Sequence, residues 1–199
     1  MSHIAFCLPA YDGRVSLPWM SAFIRSINML TAQGIKYDLC AVSGCGIIQS
    51  ARADLVGRAL DTDADTVLFI DGRQIWEPVG LLRLIADLAD VDFVAAPVAT
   101  DHGAFHCNYT GKTLKHLREA SHCAIGFAGM RRELLETLCT VYSDRQYYDQ
   151  QEQMRYDLFA PIITGAKALA GEDISFTLRA REAGYELWVD EGIKTQRLC

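Results

Sequence analysis

Apolar positions along the chain fall into short dense runs separated by longer periodic stretches. His3–Cys7 is an apolar run that ends at Leu8-Pro9, and Pro9 stops a strand at a sheet edge or exit. Ser16 stands as an N-cap, with Pro18 in the first turn of an amphipathic helix reaching Gln33. Gly34, tolerant of positive φ, closes it. Lys36–Val42 reads as a second strand and Ser43-Gly44-Cys45-Gly46 as a tight loop. Gln49–Leu60 has helical periodicity, with Ala51, Leu55, Val56, Ala59 and Leu60 on one side. Thr66–Ile70, β-branched or apolar throughout, predicts a central strand buried on both faces. Pro78 opens a helix to about Leu88, and Val91–Ala96 makes a fourth strand.

The second half is less regular. The segment from Pro97 to Gly111 has no period and is expected to be a loop flanking an active site. Cys123–Met130 reads as one strand leading into a helix over Arg131–Thr140. Tyr142–Ala170, polar and rich in tyrosine, reads as loop and short helix. A last helix, Glu172–Ala183, is closed by Gly184; Tyr185–Val189 returns as a strand, and a short tail follows. Strands alternating with helices of this length predict an α/β fold, a mostly parallel central sheet with helices on both faces.

Composition narrows the class. A chain of 199 residues with 50% hydrophobic and 22% charged positions suits one globular domain and excludes a disordered one. Twenty-five acids against 19 bases give a net charge of -6, which argues against a broad surface for duplex nucleic acid. No apolar run approaches the ~20 residues of a membrane span, and Met1–Ala5 lacks a basic signal-peptide start, so a cytoplasmic protein is expected. Seven scattered cysteines without a C-x-x-C pair fit buried thiols in a reducing compartment. His106-Cys107 and His122-Cys123 are adjacent pairs, but neighbours on a strand point apart and chelate poorly. Asp61-Thr62-Asp63-Ala64-Asp65 mimics the start of an EF-hand loop, yet lacks its glycine and glutamate, and is expected to be a solvated turn. The dinucleotide fingerprint, the phosphate-cradling P-loop and the hydrolase elbow are all missing.

In open parallel sheets, ligands bind beyond the carboxyl ends of strands, and three segments qualify. Pro9-Ala10-Tyr11-Asp12-Gly13 follows the first strand: Tyr11 can stack on a base and Asp12 can accept from a nucleoside, although Asp-Gly also makes a plain turn. Asp71, at the mouth of a fully apolar strand, is poorly explained by packing, because an unpaired acid there costs several kcal/mol (roughly). Glu172-Asp173 opens the last helix, where acids are also ordinary partners of the helix dipole.

Taken in order, these segments resemble the GT-A type glycosyltransferases, especially short bacterial, viral and phage members, across nearly the whole chain. The likeness is carried by Pro9–Gly13, by Ile48–Asp54 with Arg52, and by Leu68–Pro78. It continues through Ile125–Leu135 with Gly126, and through Gly171-Glu172-Asp173 with Phe176, Arg179, Gly184, Tyr185, Trp188 and Asp190. The resemblance implies a GT-A-like domain over 1–199, with residues 1–100 as the nucleotide half and 101–199 as the sugar and acceptor half. The activity it implies is transfer of a sugar from a nucleoside diphosphate sugar to an acceptor hydroxyl on a glycan, a protein or a modified nucleobase. Donor contacts are expected from Pro9, Ala10, Tyr11, Asp12, Arg52, Asp71 and Arg73, with Lys194 and Arg197 closing over the diphosphate. Asp173, with Glu172 beside it, is the candidate base, and Trp76 and Gly126 are expected to floor the sugar site.

One departure matters. The family's Asp-x-Asp metal motif stands here as Asp71-Gly72-Arg73, and Arg197 falls near the place of a metal-binding histidine. A guanidinium repels a divalent cation and matches phosphate oxygens, so donor binding without a metal cofactor is expected. The competing expectation is a degenerate module that binds a nucleotide sugar or glycan without turning it over. A nucleotidyltransferase of the same fold would want a glycine-rich loop with a lysine after strand one, which Tyr11-Asp12-Gly13-Arg14 does not supply.

Overall fold

The structure is a computed structural model and describes residues 3–98, 107–149 and 151–198. The first half runs β1 (His3–Pro9), α1 (Leu17–Ala32), β2 (Lys36–Val42), α2 (Ile48–Leu60), β3 (Thr66–Ile70) and β4 (Gln74–Trp76). Then come α3 (Pro78–Asp87), β5 (Phe93–Ala95), β6 (Cys107–Leu114), β7 (Leu117–Cys123), β8 (Phe127–Arg131) and α4 (Arg132–Val141). Two small hairpins follow, β9 (Gln146–Tyr148) with β10 (Met154–Tyr156) and β11 (Ile162–Ile163) with β12 (Leu169–Ala170). The chain ends in α5 (Glu172–Glu182), β13 (Leu187–Val189) and β14 (Thr195–Arg197).

Eight strands form one sheet in the order β2-β1-β3-β8-β5-β13-β7-β6. β3 lies inside it, and its alternate residues feed two cores: Val67 and Phe69 pack with α2, α4 and α5, while Leu68 and Ile70 pack with α1 and α3. Helices therefore cover both faces, as the alternation of patterns predicts. The balance of pairings differs from the expectation. β1–β2, β1–β3 and β5–β13 are parallel, but β8 runs antiparallel between β3 and β5, and β7 and β6 add antiparallel pairs. The sheet is mixed.

Local signals account for most elements. The Ser16 hydroxyl accepts from Trp19 N at 3.1 Å, which caps α1 as expected, and Gly34 follows with φ +72°. Three readings needed correction. Cys107–Gly111 begins a strand rather than ending a loop; β6 is a polar edge strand, whose solvent-facing residues give no apolar signal. Cys123–Met130 is two strands, β7 and β8, broken at Ala124–Gly126. The tail is also not loose, because β14 pairs antiparallel with β4, setting Arg197 opposite Gln74.

Several motif residues serve the scaffold. Arg179 is 2% exposed and donates to Leu158 O and Ala160 O at 2.8 Å each, fixing the segment that leads to α5. Arg132 donates to Leu60 O, Thr62 O and Ala64 O, so the acidic turn before β3 is stitched to α4 rather than simply solvated. Cys7, Cys40, Cys123 and Cys139 are buried, and burial pushes the Cys7 and Cys123 thiols well up, leaving them inert. His106 lies outside the described residues.

Beside β13, Asp190 is fully buried against Arg83, whose Nη2 donates to Asp190 Oδ1 at 2.8 Å. Asp87 lies next to it, with Oδ1 2.8 Å from His116 Nε2 and Oδ2 buried without a hydrogen-bond partner among the described residues. Burial raises the Asp87 carboxyl above its usual value; the His116 contact opposes this and Asp190 adds to it. The native state thus holds this proton to higher pH than the unfolded chain. Stability is unaffected below the unfolded value of ~3.9 and is lost as pH rises from there through the raised folded value. Asp87→Asn is expected to melt about 2–4 °C above the wild type at pH 7. That gap should close as the pH is lowered to 4, read by thermal denaturation across the range.

Candidate functional site

β1 and β3 are parallel neighbours, so the loops that leave their carboxyl ends open on the same side of the sheet. After β1 the chain turns at once: Gly13 N donates to Ala10 O at 2.9 Å with Gly13 at φ +68°, and Asp12 Oδ1 accepts from Arg14 N at 3.2 Å. The Asp-Gly segment is therefore a real turn, and the turn holds Tyr11 outward. Its ring is 70% exposed and lies against Gly46, while Gly44 N donates to Tyr11 O at 2.8 Å.

After β3, the backbone of Asp71 is fixed from three sides. Asp71 N donates to Gly126 O at 2.9 Å, and Asp71 O accepts from Gln74 N at 2.9 Å and from the Trp19 indole at 3.2 Å. A methyl carbon built on Gly126 would come 2.7 Å from Asp71 Oδ2, so only glycine lets β8 begin this close to the acid. This explains the break between β7 and β8. The backbone of Ala124–Gly126 serves site residues, with Ile125 N donating to Asp173 Oδ2 at 3.3 Å.

Arg52, on α2 and 2% exposed, is the centre of the cluster. Its Nη2 lies 3.2 Å from Asp71 Oδ1 and 3.4 Å from Oδ2, and its Nη1 contacts Asp173 Oδ1 and lies 3.8 Å from Glu172 Oε1. Glu172 and Asp173 sit in the first turn of α5, where the helix dipole favours them. Three carboxylates from two separate parts of the chain thus meet on one buried guanidinium. Asp71 is paired with Arg52, not with Arg73.

Two hollows share this cluster as a common wall. The outer one, about 620 Å³, is bounded by Pro9–Asp12, Arg14, Arg73 and Leu198; the inner one, about 310 Å³, by Ala124, Gly126 and Gly171–Ile174. Arg52, Asp71, Gln74, Glu172 and Arg197 line both. A further hollow of about 710 Å³ lies beyond the Ser43–Ile47 loop, against Tyr147 and Tyr148, and contains none of the cluster.

The cleft gathers most of the residues expected from sequence, namely Pro9, Ala10, Tyr11, Asp12, Arg52, Asp71, Arg73, Gly126, Glu172, Asp173 and Arg197. Two are elsewhere. Trp76 is 3% exposed, donates to Ser26 Oγ at 3.0 Å, and packs against Trp19 and Phe127, so it belongs to the core under β4 and floors no sugar site. Lys194 is exposed, donates to Glu191 O at 2.9 Å and lines neither hollow. Two cleft residues escaped the sequence reading. Arg14, exposed beside the Asp12-Gly13 turn, adds a further cation to the outer hollow alongside Arg52, Arg73 and Arg197. Gln74 is a polar residue at a buried position of β4, where its alternation with buried Trp76 was the available signal.

A divalent metal of the kind the resemblance implies would have to share these residues with arginines. Arg52 holds Asp71, Arg73 stands at the position of the second acid, and Leu198 N donates to Arg73 O, which brings the Arg197 strand alongside. Among the described residues, the grouping with three metal-type side chains is Asp87, His116 and Asp190, which line neither hollow, and Arg83 already holds both oxygens of Asp190.

No family model and no curated protein sequence matches the chain. Solved structures do. A197 from STIV superposes with a TM-score of 0.60 at 18% identity, covering 100% of this chain and 86% of that one. GalNAc-T7 with UDP, GalNAc and Mn²⁺ gives 0.60 at 9% identity, over 99% of this chain and 43% of that one. S. aureus TarS residues 1-349 in complex with UDP-GlcNAc gives 0.51 at 12% identity, over 95% and 56%. The chain thus spans about half the length of the two transferase structures, and at these identities the likeness is one of fold. Among the described residues, no helix is long and apolar enough to cross a membrane. The mixed sheet, the helices on both its faces and these superpositions together give the chain the GT-A-like fold that glycosyltransferases use.

Proposed function

We propose that the chain is a glycosyltransferase that moves a sugar from a nucleoside diphosphate sugar to an acceptor hydroxyl, with arginines in the place of a divalent metal. The observation that carries this reading is the meeting of Asp71, Glu172 and Asp173 on buried Arg52, at the neck between two hollows of unequal size. The outer hollow suits a nucleoside diphosphate: Tyr11 offers an exposed aromatic face, and Arg14, Arg73 and Arg197 offer cationic forks for phosphate oxygens. The inner hollow suits the glycosyl group and the incoming hydroxyl. Proteins of this fold have been seen with UDP and with UDP-GlcNAc, which supports a nucleotide sugar as the donor class.

The chemistry is a substitution at the anomeric carbon. The bond from that carbon to the diphosphate breaks, the diphosphate leaves with the electron pair, and a new bond forms to the acceptor oxygen. Arginines around the outer hollow neutralise the charge that develops on the leaving group, a role that needs no reorganisation when the groups are already in place. The acceptor's proton passes to a carboxylate. Asp173 faces the inner hollow, where Arg52 and Ile125 N hold it in one orientation. Glu172 reaches both hollows and supports the same charge balance. The acceptor classes that the resemblance implies are compatible with this chemistry: a glycan, a protein or a modified nucleobase can each present a hydroxyl.

Donor binding should therefore survive removal of metal. Calorimetry with UDP-, GDP-, CDP- and dTDP-linked hexoses is expected to give the same affinity in EDTA as in added Mn²⁺. Arg73→Ala should weaken the bound donor at least tenfold, since a charged hydrogen bond is worth about 1.5–3 kcal/mol. Binding seen only with Mn²⁺ would overturn the metal-free reading, and an unchanged Arg73→Ala would remove that residue from the site. Asp173→Asn keeps the shape and removes the charge, so sugar transfer or donor hydrolysis should fall by at least a hundredfold while donor affinity changes little. Turnover within a few-fold of wild type would exclude Asp173 as the base. A wild-type chain that binds donors but releases no sugar to water or any acceptor would instead be a binding module.

A further inference from the structure

We propose that Gln74 is a specificity-determining residue that reads a hydroxyl of the transferred sugar at the neck between the two hollows. The inference rests on the nucleotide-sugar reading above. Gln74 is 2% exposed, yet its Oε1 has no hydrogen-bond partner among the described residues. Buried side-chain oxygens almost always have one. The two indoles nearby do have partners: the Trp76 indole donates to Ser26 Oγ at 3.0 Å, and the Trp19 indole donates to Asp71 O at 3.2 Å.

Gln74 cannot relieve its side chain by moving the backbone. Its N–H is spent on Asp71 O, and β4 is paired with β14 on the other side. Trp76, two residues on and on the same side of the strand, enters the aromatic core, which shows what packing alone selects here. The amide instead borders open volume. Gln74 lines both hollows, and a methyl carbon on Gly126 would lie 2.7 Å from Asp71 Oδ2 and 3.6 Å from Gln74 Nε2. Carboxylate and amide therefore flank one gap that the glycine keeps open.

The chemistry of the group selects the ligand atom. An amide carries donors and an acceptor but no charge, so it suits an alcohol, which also donates and accepts. Phosphate oxygens are served by the arginines, and the base is expected at Tyr11, on the outer side. A hydroxyl on the glycosyl group is what remains at the neck. A site built to pair with a hydroxyl discriminates strongly against an analogue that lacks it, because the buried amide is then left unpaired.

Gln74→Met keeps the length of the side chain and removes the amide. Scanning calorimetry of the ligand-free protein should show the variant melting about 2–4 °C higher than wild type, since an unpartnered buried polar group is gone. Titration with UDP-, GDP-, CDP- and dTDP-linked hexoses should show the preferred sugar nucleotide binding about three- to tenfold more weakly to the variant. The matching nucleoside diphosphate should stay within twofold, and a deoxy donor lacking the contacted hydroxyl should bind both proteins equally. A lower melting temperature in Gln74→Met would overturn the proposal by revealing a structural partner, and so would equal losses for the sugar nucleotide and the bare diphosphate. Either result leaves the nucleotide-sugar reading standing. A wild-type protein that binds none of these nucleotides would end that reading and this proposal together.

Discussion

The guanidinium of Arg52 is almost entirely out of water, and a cation so placed persists only when anions and hydrogen bonds replace its hydration. The chain meets that requirement with three carboxylates from two separate segments. Asp71 comes from the end of β3, and Glu172 and Asp173 come from the first turn of α5, more than a hundred residues later. The cluster thereby ties α2, β3 and α5 into a fixed relation. It also over-compensates, since three carboxylates face one arginine. The excess negative charge at the neck is what makes a ring of further arginines at the cleft mouth electrostatically tolerable in a chain whose net charge is -6.

Backbone and packing details nearby follow from the same need. Asp71 must reach Arg52 without drifting, and its main chain is held by Gly126, Gln74 and the Trp19 indole. Trp19 in turn stacks on Phe23 and meets Trp76 edge-on, so the aromatic core between α1 and β4 is the floor that supports the acid from below. Gly126 is required because its neighbour is a carboxylate, and the strand run is interrupted there because its amides and carbonyls are used by the site. Rigid support under a polar cluster is what a preorganised ligand site demands. The pairing of β14 with β4 extends that support to the tail, carrying Arg197 into the wall of both hollows.

A cleft built this way separates two chemistries by position. Tyr11, Arg14 and Arg73 line the outer volume alone and Asp173, Gly126 and Gly171 the inner one alone, while Arg52, Asp71, Gln74, Glu172 and Arg197 are shared by both. Arg73 is not an isolated cation in this cleft. It stands beside Arg14 and Arg197 on the same wall, and Asp71 has an alternative partner in Arg52.

Local physics made much of this legible in advance. The cap at Ser16, the glycine stop at Gly34, the doubly buried run Thr66–Ile70 and the helix opening at Pro78 depend on neighbours a few residues away, and each formed where the pattern placed it. The first two cleft segments converged for a similar reason, because loops at the carboxyl ends of the parallel neighbours β1 and β3 open on the same side whatever their sequences. The direction of β8, the polar edge strand β6 and the ribbon joining β4 to the tail were not legible. Each is decided by which strand lies alongside, a long-range choice that leaves no period in the sequence. The same limit sorted the side chains: Trp76 and Lys194 resembled ligand residues until packing turned one into the core and left the other outside the cleft. Gln74 and Arg14 were unremarkable in sequence, and the fold set them at its walls. Sequence determined the elements and the residue types available to them; which groups came to share the buried environment around Arg52 was decided only when distant elements packed, because burial and charge pairing are properties of that contact and of no single segment.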